Sequence, residues 1–187
     1  MEFKKTAIEG VYLIIPKIWR DPRGYFFECY REEEFAQNGI PNHFVQDNQS
    51  CSSYGVVRGL HSQQGVNAQA KLVRVISGKV LDVAVDIRQG SPTYGQHVAA
   101  ELDEETGTML FIPRGFLHGF SVLSPKAIFT YKCDNFYCKN AELRVKLDDR
   151  QLGIDWKIPS DQRIISALDA SGVDFSDAIS YRPIGHN

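Results

Sequence analysis

The sequence predicts an all-β fold, an antiparallel sandwich or barrel of which the jelly roll is one form. Three observations carry that expectation: apolar and polar residues alternate with a period of two, turn residues recur between short apolar runs, and helical pattern is scarce. The clearest alternation is 79–87, where Leu81, Val83, Val85 and Ile87 interleave with Val80, Asp82, Ala84 and Asp86. The run 71–76 is rich in branched residues and stops at the turn pair Ser77-Gly78. Further strands are predicted over 10–16, 55–63, 94–102, 107–112, 119–123 and 127–133. Gly90-Ser91-Pro92, Asp103-Glu104, Pro113-Arg114-Gly115 and Ser124-Pro125 punctuate them. Two helices are expected. One spans 31–37 and stops at Asn38-Gly39; the other spans 160–169 after Pro159, with Ser160 or Asp161 as its N-cap.

At 187 residues the chain has one domain's worth of length, enough for a hydrophobic core without staples, and 1–187 is expected to be a single domain. It is 43% hydrophobic and 24% charged, as soluble globular proteins are. Lysine plus arginine total 21 against 23 acids, a net charge of −2 that argues against a nucleic-acid groove and a polybasic membrane surface. No apolar run approaches the length of a membrane span, and no secretory leader pattern opens the chain, so a cytoplasmic protein is expected. Of the cysteines at 29, 51, 133 and 138, only the last two are close, and one C-x4-C pair is a poor zinc signature. Reduced thiols acting as small hydrophobes are the expectation.

Two constellations carry chemistry. The first is Arg58-Gly59-Leu60-His61-Ser62-Gln63, followed by Lys71. Strict alternation over 55–63 places Val57, Gly59, His61 and Gln63 on one face and Arg58 on the other. Lys71 shares a face with Val73 and Val75, and Asp82 with Val80 and Ala84. A histidine, a lysine and an aspartate on three neighbouring strands would meet inside a barrel mouth. Each alone is ordinary, but burying three such groups without a task is costly.

The second is Pro113-Arg114-Gly115-Phe116-Leu117-His118, a turn that delivers a histidine to the start of a strand. It resembles the second half of the cupin signature, which implies a cupin-like double-stranded β-helix (jelly-roll) barrel with a few short helices. The first half needs two histidines and a glutamate converging on a metal. Here Gln63 occupies the second histidine position, no acid lies between it and Lys71, and the lysine would repel a cation. The expectation is a cupin barrel without a metal site. His43 and His97 lack partner patterns, and His186 falls in the C-terminal tail.

Further motifs, in order, are Val45-Gln46-Asp47-Asn48, Val57-Arg58-Gly59-Leu60-His61, Ala68-Gln69-Ala70-Lys71-Leu72-Val73-Arg74-Val75, the run 78–88, Gly90-Ser91-Pro92-Thr93-Tyr94-Gly95, Tyr131-Lys132-Cys133 and Leu152-Gly153-Ile154-Asp155-Trp156. Together they resemble the dTDP-4-dehydrorhamnose 3,5-epimerase family, the cupin-type sugar-nucleotide epimerases. The resemblance implies a dTDP-linked 4-keto-6-deoxyhexose as substrate, epimerised at C3 and C5 without cofactor or metal, and a homodimer with an N-terminal segment exchanged between sheets. It implies His61 as base, Asp169 as the carboxylate that orients it, Lys71 as the charge that stabilises the enolate and Tyr131 as the acid on the opposite face. Asp82 and His118 would tune these groups and contact the sugar. Arg23, Glu28, Gln46, Asp47, Asn48 and Glu142 match further substrate contacts, Arg58 a diphosphate ligand and Tyr137 the aromatic stacked on the base. The placement of Arg58 beside His61 requires a bulge, since alternation separates them.

Departures from the family pattern are Ser62 for an aromatic, Gln49 for a histidine and Leu168 for a lysine before the aspartate. None removes an acid or base; the last would remove a phosphate contact. Two alternatives stand beside the double epimerase: a 3-epimerase of a related nucleotide 4-keto-6-deoxysugar, and a non-catalytic sugar-nucleotide-binding cupin.

Overall fold

The computed structural model describes residues 1–178 and 180, so His186 lies outside the described residues. In chain order the elements are β1 (Glu2–Lys5), β2 (Tyr12–Ile15), β3 (Trp19–Asp21), β4 (Gly24–Phe26), α1 (Glu32–Gln37), β5 (Gln46–Ser53), β6 (Val57–Gln63) and β7 (Lys71–Ser77). There follow β8 (Lys79–Asp86), β9 (His97–Asp103), β10 (Met109–Ile112), β11 (Phe116–Val122), β12 (Lys126–Cys133), β13 (Glu142–Arg144) and α2 (Ala167–Ala170). Six strands form one antiparallel sheet in the order β1-β2-β10-β7-β12-β5, and five form a second in the order β13-β6-β11-β8-β9. The hairpin β3-β4 stands apart from both. This is an all-β, cupin-like jelly roll with short helices.

The two sheets close over one core. Val73 and Val75 of β7 and Phe129 of β12 meet Val80 and Ala84 of β8 and Phe116 and Phe120 of β11. Each such side chain taken from water stabilises the fold by about 1.5–3 kcal/mol. β8 is buried on both faces: Leu81, Val83, Val85 and Ile87 point outward, where Leu147, Leu152, Trp156 and Phe175 of the C-terminal segment cover them. On the far side of the six-stranded sheet, Phe35 of α1 packs with Ile40 on Leu72, Met109 and Phe111.

Besides the short strands β1, β3, β4 and β13, which the sequence pattern did not announce, the structure departs from expectation at four points. β5 reads Gln-Asp-Asn-Gln-Ser-Cys-Ser-Ser, with no apolar alternation to announce it. It is held by eight consecutive partners on β12, from Ser53 opposite Lys126 to Gln46 opposite Cys133. The helix expected over 160–169 is reduced to a turn at Ser160–Gln162 and the four residues of α2. Ile164 between them is extended because it bridges Val56. β9 starts at His97 rather than 94, since the preceding residues fold into turns closed by Gly95 N–H on the Asp86 carbonyl. Finally, the three strands carrying His61, Lys71 and Asp82 are not neighbours: β6 and β8 flank β11 in one sheet, and β7 lies in the other. The three side chains are apposed across the sandwich instead.

Candidate active site

A bulge in β6 sets the site. His61 pairs with His118 and Arg58 with Phe120, so Gly59 and Leu60 together oppose Gly119 alone. The extra residue sends Leu60 outward beside Val57, and Arg58 and His61 line the same cavity. Only glycine fits this crossing. Gly59 has φ +132°, and a Cβ there would lie 2.6 Å from Gly119 Cα. A Cβ on Gly119 would lie 2.7 Å from the Arg58 carbonyl oxygen.

The cavity, of about 540 Å³, is lined by Arg58, His61, Lys71, His118, Tyr131 and Asp169 among others. His61 Nε2 donates to Asp169 Oδ1 at 2.6 Å. With Nε2 so engaged, the neutral imidazole keeps its free lone pair on Nδ1. Asp169 is buried and arrives from the far end of the chain on α2, where its own N–H donates to the Ser166 hydroxyl at 3.0 Å. Ser166 is thus a helix N-cap. Burial alone would raise the Asp169 carboxyl, but the hydrogen bond and charge of His61, then the Ser166 hydroxyl and last the Arg144 charge, outweigh it and hold the group below the usual carboxylate range.

Across the sandwich, the Lys71 ammonium lies 5.6 Å from the Tyr131 ring centre, a cation–π distance. Burial pulls the ammonium below the ordinary lysine value, opposed by Cys133, Asp82 and Glu142. Burial likewise pushes the Tyr131 phenol up, so its proton is retained well above neutrality. Behind His61, His118 Nε2 bonds to both Asp82 oxygens, at 2.9 and 3.1 Å, with both residues buried. Burial lowers the imidazole's proton affinity against the pull of Asp82.

An adjoining lobe of about 230 Å³ runs from His61, Lys71 and Tyr131 to Gln46, Asn48, Tyr137 and Glu142. The Tyr137 hydroxyl donates to Glu142 Oε2 at 3.1 Å, and its N–H to Gln46 Oε1 at 3.1 Å. Its ring is 52% exposed, an open platform at the mouth. Arg58 Nε donates to Ser52 Oγ at 3.1 Å. Three residues named from the sequence lie elsewhere in this chain. Asp47 points to the opposite face of its sheet and pairs with Lys132 at 2.9 Å. Arg23 sits in the β3-β4 turn, 90% exposed and paired with Asp21. Glu28 pairs with Arg31.

Two cavity residues escaped the sequence reading. Arg144 on β13 lies opposite His61 and bonds to both Asp169 and Glu142, at 2.6 and 2.7 Å. Ser50, also in the cavity wall, has a buried hydroxyl without a partner. The only signal for Arg144 was its spacing of two from Glu142, which puts both on one face of a strand too short to show a period. Among the described residues, no three His, Cys, Asp or Glu side chains group as metal ligands would.

A cupin-like barrel that sets a histidine–carboxylate dyad, a half-buried lysine and a protonated tyrosine around one cavity has the makings of an acid–base isomerase. The family described as dTDP-4-dehydrorhamnose 3,5-epimerase matches residues 5–177, and the chain belongs to it. A dTDP-4-dehydrorhamnose 3,5-epimerase from Salmonella typhimurium is 48% identical over 168 residues, which are 89% of this chain and 91% of that protein. A crystal structure of the Elizabethkingia anophelis dTDP-4-dehydrorhamnose 3,5-epimerase is 50% identical and superposes with a TM-score of 0.91, covering 95% of this chain and 97% of that one. A dTDP-6-deoxy-D-glucose-3,5-epimerase from Legionella pneumophila, crystallised with dTDP-4-keto-L-rhamnose, is 41% identical, with a TM-score of 0.93 over 98% of this chain and 99% of that one.

Proposed function

We propose that this protein epimerises dTDP-4-dehydro-6-deoxy-D-glucose at C3 and C5, giving dTDP-4-dehydro-L-rhamnose. Both carbons are α to the C4 ketone, so loss of either proton gives an enolate. His61 removes the proton through Nδ1, and the imidazolium formed is stabilised by Asp169. Lys71 supplies a fixed positive charge for the enolate oxygen in a site of low polarity. Tyr131 returns a proton from the opposite face, and inversion follows from the two groups standing on different sides of the sugar. His118, backed by Asp82, contacts the sugar. Arg58 takes the diphosphate with its guanidinium fork, while Gln46, Asn48, Tyr137 and Glu142 receive the nucleoside.

The observation that carries this reading is the His61–Asp169 pair at 2.6 Å in the cavity that Tyr131 and Lys71 also line, in a chain of this family. Incubation with dTDP-4-keto-6-deoxyglucose in D2O tests it. Deuterium at both C3 and C5 of an inverted product is expected. Label at C3 alone would make the protein a 3-epimerase, and no label would make it a binding module.

We propose further that residues 1–187 form one epimerase domain working in the cytoplasm as a homodimer. Four free thiols suit a reducing compartment. The hairpin β3-β4 exposes Trp19, Tyr25 and Phe26 at 47%, 58% and 66%, and Arg23 and Glu28 beside it lie outside the chain's own cavity. A partner that takes this segment buries the aromatics and receives Arg23 and Glu28 as substrate contacts.

A further inference from the structure

Arg144 bonds two groups that the reaction uses separately. Its Nη1 donates to Asp169 Oδ1 at 2.6 Å, the same oxygen that accepts from His61, and its Nη2 donates to Glu142 Oε2 at 2.7 Å, the same oxygen that accepts from Tyr137. One guanidinium therefore closes a chain from Tyr137 at the open mouth, through Glu142 and Asp169, to His61 in the interior. The side chain is 26% exposed and forms part of the cavity wall. A guanidinium is suited to this bridge because its planar fork offers separate N–H groups at fixed angles and never loses its charge. Lysine, a point charge on a flexible stem, cannot bond both carboxylates with the same geometry.

We infer that Arg144 is a positioning residue for the base: it holds the Asp169 carboxylate against His61 and couples that pair to the arm that receives the nucleoside. The inference rests on the reading of His61 as base and adds a residue to it. The charges facing His61 are Arg58 on its own strand, Lys71 from β7, His118 from β11, Asp169 from α2, and Arg144 with Glu142 from β13. Arg144 Nη1 lies 3.0 Å from His61 Nε2, too close for its charge to be indifferent to the imidazolium. Both nitrogens carry protons directed at Asp169 Oδ1, so they share an acceptor and do not bond to one another. Removing Arg144 leaves the Asp169 carboxylate with one donor fewer to fix it against His61.

The test uses Arg144→Met and Arg144→Lys in the full chain and reads the His61–Asp169 hydrogen bond from the His61 ring N–H resonance in the free protein, which needs no substrate. The expected result for Arg144→Met is a ring N–H resonance that moves or broadens as the carboxylate loses its hold. We also expect kcat to fall about ten- to a hundredfold, with a smaller change in KM, as loss of a group that orients another catalytic group does. Arg144→Lys keeps the charge but not the fork, so it too should alter the resonance and lower kcat. An unmoved resonance and an unchanged kcat in Arg144→Met overturn the inference. Should Arg144→Met fail to fold, Arg144→Lys decides, since wild-type kcat there shows that the fork positions nothing. A wild type without C3 or C5 exchange would instead defeat the epimerase reading and leave the resonance result standing by itself.

Discussion

On the proposed mechanism His61 and Tyr131 divide proton removal and return between two faces of a sugar, and small deletions separate these roles. Without the imidazole no enolate forms, so His61→Ala should abolish deuterium entry at C3 and C5, read by NMR of substrate recovered from D2O. Tyr131→Phe removes one oxygen and keeps the ring that packs against Phe129 at 6.1 Å, so the fold should persist. Abstraction remains possible there, and His61 can return a solvent deuteron to the face it came from. Label should then enter with little inversion. Normal epimerisation by Tyr131→Phe would remove it as the acid, and surviving exchange in His61→Ala would remove the base. At this scale the sequence was legible mainly through resemblance: nothing in the local pattern marks Asp169, which lies 108 residues from His61 along the chain. Arg144 was invisible because its significance depends on where β13 docks, and three residues carry no period.

Elements hold the site through two local devices, each open to measurement. The bulge in β6 depends on Gly59 facing Gly119. Gly59→Ala puts a Cβ 2.6 Å from Gly119 Cα at a φ of +132°, so it should destabilise by more than about 1 kcal/mol and lower kcat/KM by parting Arg58 from His61. Urea unfolding and steady-state kinetics would register both, and an Ala variant of normal stability and activity would show that the crossing tolerates relaxation. The second device is the end of β8. Burial alone would raise the Asp86 carboxyl, but Arg88, Ser91 and Thr93 all donate to it and hold it at about 2. Because the folded value lies below the unfolded one near 3.9, the stabilisation is complete above that pH and disappears as pH falls through about 2. It amounts to about 2–3 kcal/mol at neutral pH. Asp86→Asn should therefore melt well below wild type at pH 7, and the gap should narrow between about pH 4 and pH 2. β8 itself was legible from its alternation and β7 from its branched residues and closing turn, while β6 and β12 were legible as strand-like runs. The bulge was expected only as a requirement for placing Arg58. β5 was not legible, since its pairing comes wholly from its partner on β12 and its polar side chains face a cavity on one side and solvent on the other.

At the scale of the whole molecule, the C-terminal segment is both cover and supplier. It lays Leu147, Leu152, Trp156 and Phe175 over the outer face of the five-stranded sheet, then returns Ile164 to Val56 and so delivers Asp169. That route was unreadable in a sequence that suggested one helix there, because a long-range bridge overrode local propensity. The other end of the chain is unfinished by the same measure. Trp19, Tyr25 and Phe26 lie on a hairpin hydrogen-bonded to neither sheet, and β5 leaves one edge of the six-stranded sheet unpaired. An exposed aromatic cluster and an open strand edge are the surfaces the proposed dimer would cover. Sedimentation at micromolar concentration should give twice the mass of the chain. Phe26→Asp places a charge among those aromatics and should shift the protein toward monomer. Since Arg23 and Glu28 would then be absent from the partner's cavity, the variant should also bind dTDP more weakly, measured by calorimetry, while the His61–Asp169 pair within each chain stays intact. A wild-type monomer with full activity would refute both the dimer and the shared site, whereas a dimer whose Phe26→Asp monomer binds dTDP normally would leave Arg23 and Glu28 as surface charges.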